Sequence, residues 1–152
     1  MAPAATLLYL DSWAAGRAAR GEAWGFDLFD SSLLVRDATG PLVRERAILT
    51  GGPRPDGLGG TEGFGYIATF MALRAGEPTP AAEWGELASA LQHDLDTVAP
   101  DCRGGVTTLG RGGVLARLLC PTAPALSACV EAVWARCRLR LLGLGPLRLR
   151  KL

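Results

Sequence analysis

Gly16-Arg17-Ala18-Ala19-Arg20-Gly21-Glu22 sets two guanidinium side chains and a carboxylate between glycines, and Asp11 precedes it. Two chemistries fit those residue types. An arginine–carboxylate network can pin a turn through charge-assisted hydrogen bonds. Alternatively, if strand pairing brings Asp11 towards Glu22, two carboxylates converge beside guanidinium groups as a cluster of oxygen ligands. The reactive inventory is thin elsewhere. His93 is the single histidine. It follows Trp84 by nine positions, about half a helical turn away from an apolar stripe, so it is expected to face solvent. One histidine, placed there, makes a Ser-His-Asp or Cys-His pair hard to assemble. The four cysteines, Cys102, Cys120, Cys129 and Cys137, are spaced by 18, 9 and 8 residues and contain no C-x-x-C pair. They are read as reduced thiols, partly core, with no closed zinc site. A transient metal site of carboxylates with an occasional thiol stays open, because such sites leave no fixed spacing.

The glycine-rich stretch over residues 50–65 contains no P-loop. Gly63-Phe64-Gly65-Tyr66-Ile67-Ala68 matches a loose dinucleotide fingerprint. However, the residues that follow read as a strand, whereas pyrophosphate binding needs a helix N-terminus there. A surface loop is the stronger reading.

The elements that must position these groups follow from length and periodicity. The chain has 152 residues, 49% of them hydrophobic and 20% charged, which suits a single folded domain over residues 1–152 and excludes intrinsic disorder. A net charge of +1 argues against a general nucleic-acid binder. No apolar run reaches the length of a membrane span, and the first ten residues lack a secretory signal pattern, so a cytoplasmic protein is expected. Twenty glycines and ten prolines favour short strands. Residues 5–10 read as a short buried strand. The alternation Trp24, Phe26, Leu28 predicts a half-buried strand from Trp24 onward. Asp37-Ala38-Thr39-Gly40-Pro41 marks the turn of a hairpin over 31–49. Tyr66 to Leu73, apolar on both faces, reads as a central strand, and Val106–Leu109 and Val114–Leu119 as further strands. Two helices are predicted. The first covers 79–98, with Thr79 as cap, Pro80 at its first position and a stripe of Trp84, Leu87, Leu91, Leu95 and Val98. The second opens at Pro121–Pro124 with a stripe of Leu126, Val130, Val133, Cys137 and Leu141, and stops at Gly143 and Gly145-Pro146. Leu147 to Arg150 reads as a short alternating tail. The order is α+β, mainly β. Charge segregates along the chain. Six acids and no Lys or Arg lie between Ala75 and Asp101, and six bases and no acid between Arg136 and Lys151. These are solvated faces that oppose each other, or surfaces that steer a protein partner.

Asp11 followed by Gly16-Arg17-x-x-x-Gly21-Glu22-x-Trp24-x-Phe26 resembles the D…GRxxxGExWxF signature of the urease accessory protein UreD family. The likeness continues through Leu34-Val35, Gly40-x-Leu42 and Arg46-x-x-Leu49. It is looser beyond the glycine-rich stretch, where a strand precedes a helix holding Trp134 and Arg136. Against the family's longer pattern the chain is expected to begin near the middle and to lack upstream strands, as a fragment, a misassigned start or a truncated copy. A layered β fold cut there would expose an unpaired strand edge. The resemblance implies a non-enzymatic scaffold with a layered, β-solenoid-like body and a small helical portion near the C-terminus, which the two amphipathic helices read from periodicity in the C-terminal half would supply. It implies urease apoprotein, a UreF-type accessory protein and, indirectly, a UreG-type GTPase as partners, with no nucleic acid or membrane among them. No cofactor is bound stably; nickel is cargo in transit through an internal water-filled path. Carried over by position, Glu22 is the first candidate to line that path and Asp11 the second. Arg17, with Gly16 and Gly21, supports Glu22 or holds the turn. Replaceable carboxylate oxygens suit transit of a borderline cation better than a closed coordination shell does. The alternative is a β-rich interaction module with no metal role; a small enzyme holding a nucleotide at the glycine-rich loop is the third reading.

Overall fold

The computed structural model describes residues 1, 5–17, 20–50, 60–76 and 80–147. Strand β1 is Thr6–Ala14, β2 Leu28–Asp37, β3 Gly40–Thr50 and β4 Tyr66–Arg74. Helix α1, Ala81–Val98, is followed by β5, Arg103–Thr108, β6, Gly113–Cys120, and helix α2, Ala123–Leu142. The α+β, mainly β expectation holds. Four strands form one antiparallel sheet in the order β1-β4-β6-β5, and β2 pairs with β3 as a separate hairpin.

The pleat sorts side chains into two cores, because alternate residues of a strand point to opposite faces. On one face Leu8 and Leu10 of β1, Ala68, Phe70 and Ala72 of β4, and Val114, Ala116, Leu118 and Cys120 of β6 pack under the two helices. On the other, Leu7, Tyr9, Met71, Leu73 and Leu115 pack against Leu33, Val35, Leu42 and Val43 of the hairpin. The hairpin, the sheet and the helix pair therefore make three layers. Both faces of the middle layer are covered, which is why β4 is apolar at consecutive positions: Phe70, Met71, Ala72 and Leu73 are at most 1% exposed.

Helix α1 buries Trp84, Leu87, Leu91 and Leu95, as its stripe predicts, but Val98 is exposed at the helix end. Pro80 is the N-cap and not the first helical residue, and no side chain caps α1; Thr79 lies outside the described residues. In α2 the buried residues are Cys129, Val133 and Cys137, with Leu126 and Leu141 half-buried against the same core. Cys129 replaces Val130 because the steps 126–129–133–137 follow the helical period as well as the expected set does. Thr122 caps α2, its Oγ1 accepting from Ala125 N at 3.3 Å, and Gly143 closes it in the left-handed conformation at φ 65°. The two helices are clamped by a bidentate pair: Arg136 Nε and Nη2 donate to Asp94 at 2.7 and 2.6 Å. Arg140 also reaches Glu86 at 3.4 Å. The acidic and basic segments thus face each other.

Residues 24–27 are not a strand. Trp24 takes φ 59°, a conformation rare for a bulky side chain, so the chain turns there and β2 starts only at Leu28. The first strand also runs longer than residues 5–10, to Ala14, and Thr6 to Asp11 are half-buried. Of the 50–65 segment, residues 51–59 lie outside the described residues, as do residues 148–152 of the tail. No described helix is long and apolar enough to cross a membrane.

The hairpin turn is tied to the sheet by one residue. Arg111 Nη1 donates to Pro41 O at 2.9 Å, and its Nη2 reaches Asp37 Oδ2 at 3.1 Å and also the Thr39 hydroxyl. The Thr39 hydroxyl bond to Asp37, with smaller help from Thr39 N–H and Arg111, holds that carboxyl below its ordinary 3.8 against the opposing effect of desolvation. A depressed folded-state value stabilises the protein fully above the ordinary carboxylate range and is lost as pH falls through it. In melting experiments from pH 7 downward, Asp37→Asn is therefore expected to lie below wild type at neutral pH. The two curves should converge below about pH 4, as the Asp37 carboxyl takes up its proton.

Candidate functional site

A polar row crosses the otherwise apolar face between sheet and hairpin. Asp11 of β1 lies opposite Thr69 of β4, and Thr69 lies opposite Arg117 of β6. All three share the strand parity of Tyr9, Met71 and Leu115, so they point to the hairpin side. Above them Ser31, Leu33, Glu45 and Ala47 of the hairpin, with Tyr9 and Trp13 of β1, complete a cavity of about 40 Å³. That exceeds the roughly 10–15 Å³ one water needs.

Glu45 is the hairpin's acid at this cavity. Its Oε1 accepts from Arg117 Nη2 at 3.0 Å, while its Oε2 is buried and has no hydrogen-bond partner among the described residues. The carboxylate is 17% exposed, whereas Arg117 is 67% exposed and lies mostly in solvent. A carboxylate oxygen withdrawn from water with nothing donating to it is costly. Desolvation first, and then the charges of Asp11 and Glu45, push the Tyr9 phenol above its ordinary value of 10.0. Tyr9 therefore stays protonated, and its negative neighbours are felt at the cavity wall. Two carboxylates and the hydroxyls of Ser31 and Thr69 make an oxygen-donor set suited to a hydrated cation.

An aromatic cluster closes one end. Trp13 stacks on Phe29 at 4.7 Å, and Trp24 meets both Trp13 and Phe26 edge-on at 6.4 and 6.0 Å. Trp24 is buried in this cluster where the chain turns at residues 24–27.

Glu22 lies elsewhere. Arg17 Nε donates to its Oε2 at 2.6 Å, with the two side chains 68% and 47% exposed. Gly16 and Gly21 take φ of 117° and 72° around this pair. A Cβ on Gly16 would stand 2.6 Å from Glu22 O, so only glycine fits that approach. The loop closes where Trp24 N donates to Ala15 O at 2.7 Å. Glu22 lines an open groove with Ala14, Ala15, Gly16, Gly21, Gly25 and Phe26, and Asp11 lines the interlayer cavity, so the two acids do not share a cavity. The acid that shares the cavity of Asp11 is Glu45. Its signal in the sequence is a carboxylate interrupting the inward row Val43, Ala47, Leu49 of the hairpin.

His93 is exposed on α1, away from the apolar stripe. Gly63 and Gly65 lead into β4, so no helix N-terminus follows them. All four cysteines are free, and Cys120, Cys129 and Cys137 are buried. Burial pushes the Cys120 and Cys129 thiols upward and Cys137 up to about 12. The sulfurs of Cys102, Cys120 and Cys129 all lie within 4.8 Å of one another. Spacings of 18 and 9 gave no hint of this, because the fold and not a local motif brings the three together.

Comparison with known proteins places this geometry in a family. The family model described as UreD urease accessory protein matches residues 1–151. The urease accessory protein UreD of Mycolicibacterium gilvum is 31% identical over 137 residues, 89% of this chain and 47% of that protein. The UreD of Haloarcula marismortui is 33% identical over 144 residues, 93% of this chain and 46% of its own length. UreD 1 of Methylorubrum populi is 38% identical over 136 residues, covering 86% of this chain and 43% of that protein. The chain thus spans about half the length of the curated relatives it matches. On a match that runs almost end to end, over the Gly16–Glu22 turn and both layers around the Asp11–Glu45 cavity, this chain belongs to the UreD urease accessory protein family.

Proposed function

We propose that this chain acts as a non-enzymatic scaffold in urease maturation and that the interlayer cavity conducts nickel to urease apoprotein. The observation that carries the reading is that Glu45, whose buried Oε2 has no hydrogen-bond partner among the described residues, lines one cavity together with Asp11. A carboxylate whose second oxygen is withdrawn from water and lacks a donor attracts a cation, even with Arg117 on its first oxygen. Two oxygens without a closed ligand shell release it again, and that balance is what transit needs. Asp11 and Glu45 are the inner pair. Glu22, held by Arg17 at the open groove, is an outer acid at which a hydrated ion arrives. Nickel is cargo here; no resident cofactor is part of the reading. The partners are urease apoprotein, a UreF-type protein and, through it, a UreG-type GTPase, and the work takes place in the cytoplasm. The hairpin and the four-stranded sheet would then be two layers of the longer, solenoid-like β body that the family resemblance implies.

A second reading, an interaction module without a metal role, draws on the outer face of the hairpin, where Leu28, Leu34 and Ile48 are each more than half exposed. Retention assays separate the two. The immobilised chain is expected to hold urease apoprotein together with a UreF-type partner, and the eluted complex to yield nickel-loaded urease when nickel, GTP and a UreG-type GTPase are supplied. Retention with no gain in urease nickel would favour the interaction module. Failure to retain either protein would reject the scaffold.

A further inference from the structure

On the helix side of the sheet, away from the oxygen-lined cavity, three thiols from three elements meet. Cys102 lies in the connection from α1 to β5, Cys120 ends β6, and Cys129 sits in the second turn of α2. We propose that Cys102, Cys120 and Cys129 form a three-thiolate site for a soft, thiophilic d¹⁰ cation of the zinc type.

The argument is geometric. Three thiolates bound at about 2.3 Å to one ion stand about 4 Å apart. The three sulfurs already lie within 4.8 Å of one another, so less than about 1 Å of closure completes the shell. Isolated buried cysteines serve as small apolar core residues. Here three of the four converge, while the fourth, Cys137, belongs to the same core but stands outside the group. Cys102 is half-buried where Cys120 and Cys129 are fully buried, and this leaves an approach from solvent to one ligand. The backbone there is held in place: Cys102 N donates to Ala99 O at 2.9 Å, just past the end of α1. Sulfur donors select thiophilic ions over the oxygen-loving ones that the opposite face suits. On binding, three cation–sulfur bonds form as three thiol protons leave to solvent, with no change of oxidation state.

The inference stands apart from the nickel reading and is tested without urease. The full chain, reduced beforehand, is titrated with Cd²⁺ and followed by the thiolate-to-metal charge-transfer absorption in the ultraviolet. Wild type is expected to saturate at one equivalent. Cys102→Ser, which alters the least buried of the three, is expected to lower the affinity at least about tenfold with an unchanged circular dichroism spectrum. Cys137→Ser is expected to leave the titration as in wild type. The absence of a saturable band in wild type would overturn the site. So would a full-strength band in Cys102→Ser, or an equal loss in a folded Cys137→Ser protein.

Discussion

Glu45→Gln is expected to reduce nickel delivery to urease at least about tenfold while the protein stays folded, since groups that set up a metal site typically contribute that much. The substitution keeps the shape and removes the charge. The introduced side-chain amide can present its carbonyl oxygen to Arg117 Nη2, as Glu45 Oε1 does now at 3.0 Å. Its NH₂ group then occupies the place of Oε2, the buried oxygen that has no hydrogen-bond partner among the described residues. A neutral donor beside Asp11 is less costly there than an unpaired carboxylate oxygen, so folding stability should change by no more than about 1 kcal/mol. What disappears is one of the two carboxylates that line the cavity. The measurements are nickel content and activity of urease matured with each variant, alongside melting curves. Asp11→Asn should act in the same direction. Arg17→Ala, which touches only the exposed Glu22 pair, should weigh much less. Normal nickel content with Glu45→Gln would remove the cavity from the route.

Phe70→Ala should be the most destabilising single change on the helix side of the sheet. Phe70 is fully buried in β4, and its ring meets Trp134 of α2 edge-on at 6.2 Å. Its neighbours come from the sheet and both helices, so they cannot all move inward to fill the space. Truncations of this kind cost about 3–5 kcal/mol. At roughly 2–4 °C per kcal/mol for a chain of this size, the melting midpoint should fall by about 10–15 °C. Phe70→Leu, which keeps most of the volume, should lose under about half of that. A midpoint within about two or three degrees of wild type for Phe70→Ala, about 1 kcal/mol or less, would contradict this packing.

Much of this fold was legible because its patterns are local. The stripe Trp84, Leu87, Leu91, Leu95 marks α1, Gly143 marks the end of α2, and Asp37–Gly40 marks the hairpin turn. The doubly apolar run of β4 fits a strand covered on both sides. Residues 24–27 misled because spaced aromatics look the same whether a strand alternates or a loop folds its rings into one cluster. The left-handed Trp24 has no signature in composition. The site was legible by half. Asp11 and the Gly16–Glu22 turn stand out as residue types, and the turn is local. Glu45 reaches the cavity of Asp11 only through the stacking of two layers, and the cysteine trio forms only through the closure of three elements. Contacts between elements distant in sequence carry no period to read.

The strict two-residue pleat of the middle sheet has a consequence for ion traffic. Asp11 projects to one side and Cys120 to the other, so carboxylate and thiol are segregated by a wall one sheet thick, filled in β4 with Phe70, Met71, Ala72 and Leu73. On the proposed nickel route an ion among the carboxylates is kept from the three thiols, the Met71 thioether being the sulfur group that lines that cavity, and a thiophilic ion at the proposed cysteine site is kept from the carboxylates. The sheet is in that sense a septum, and a single-residue slip of β6 would mix the two compartments.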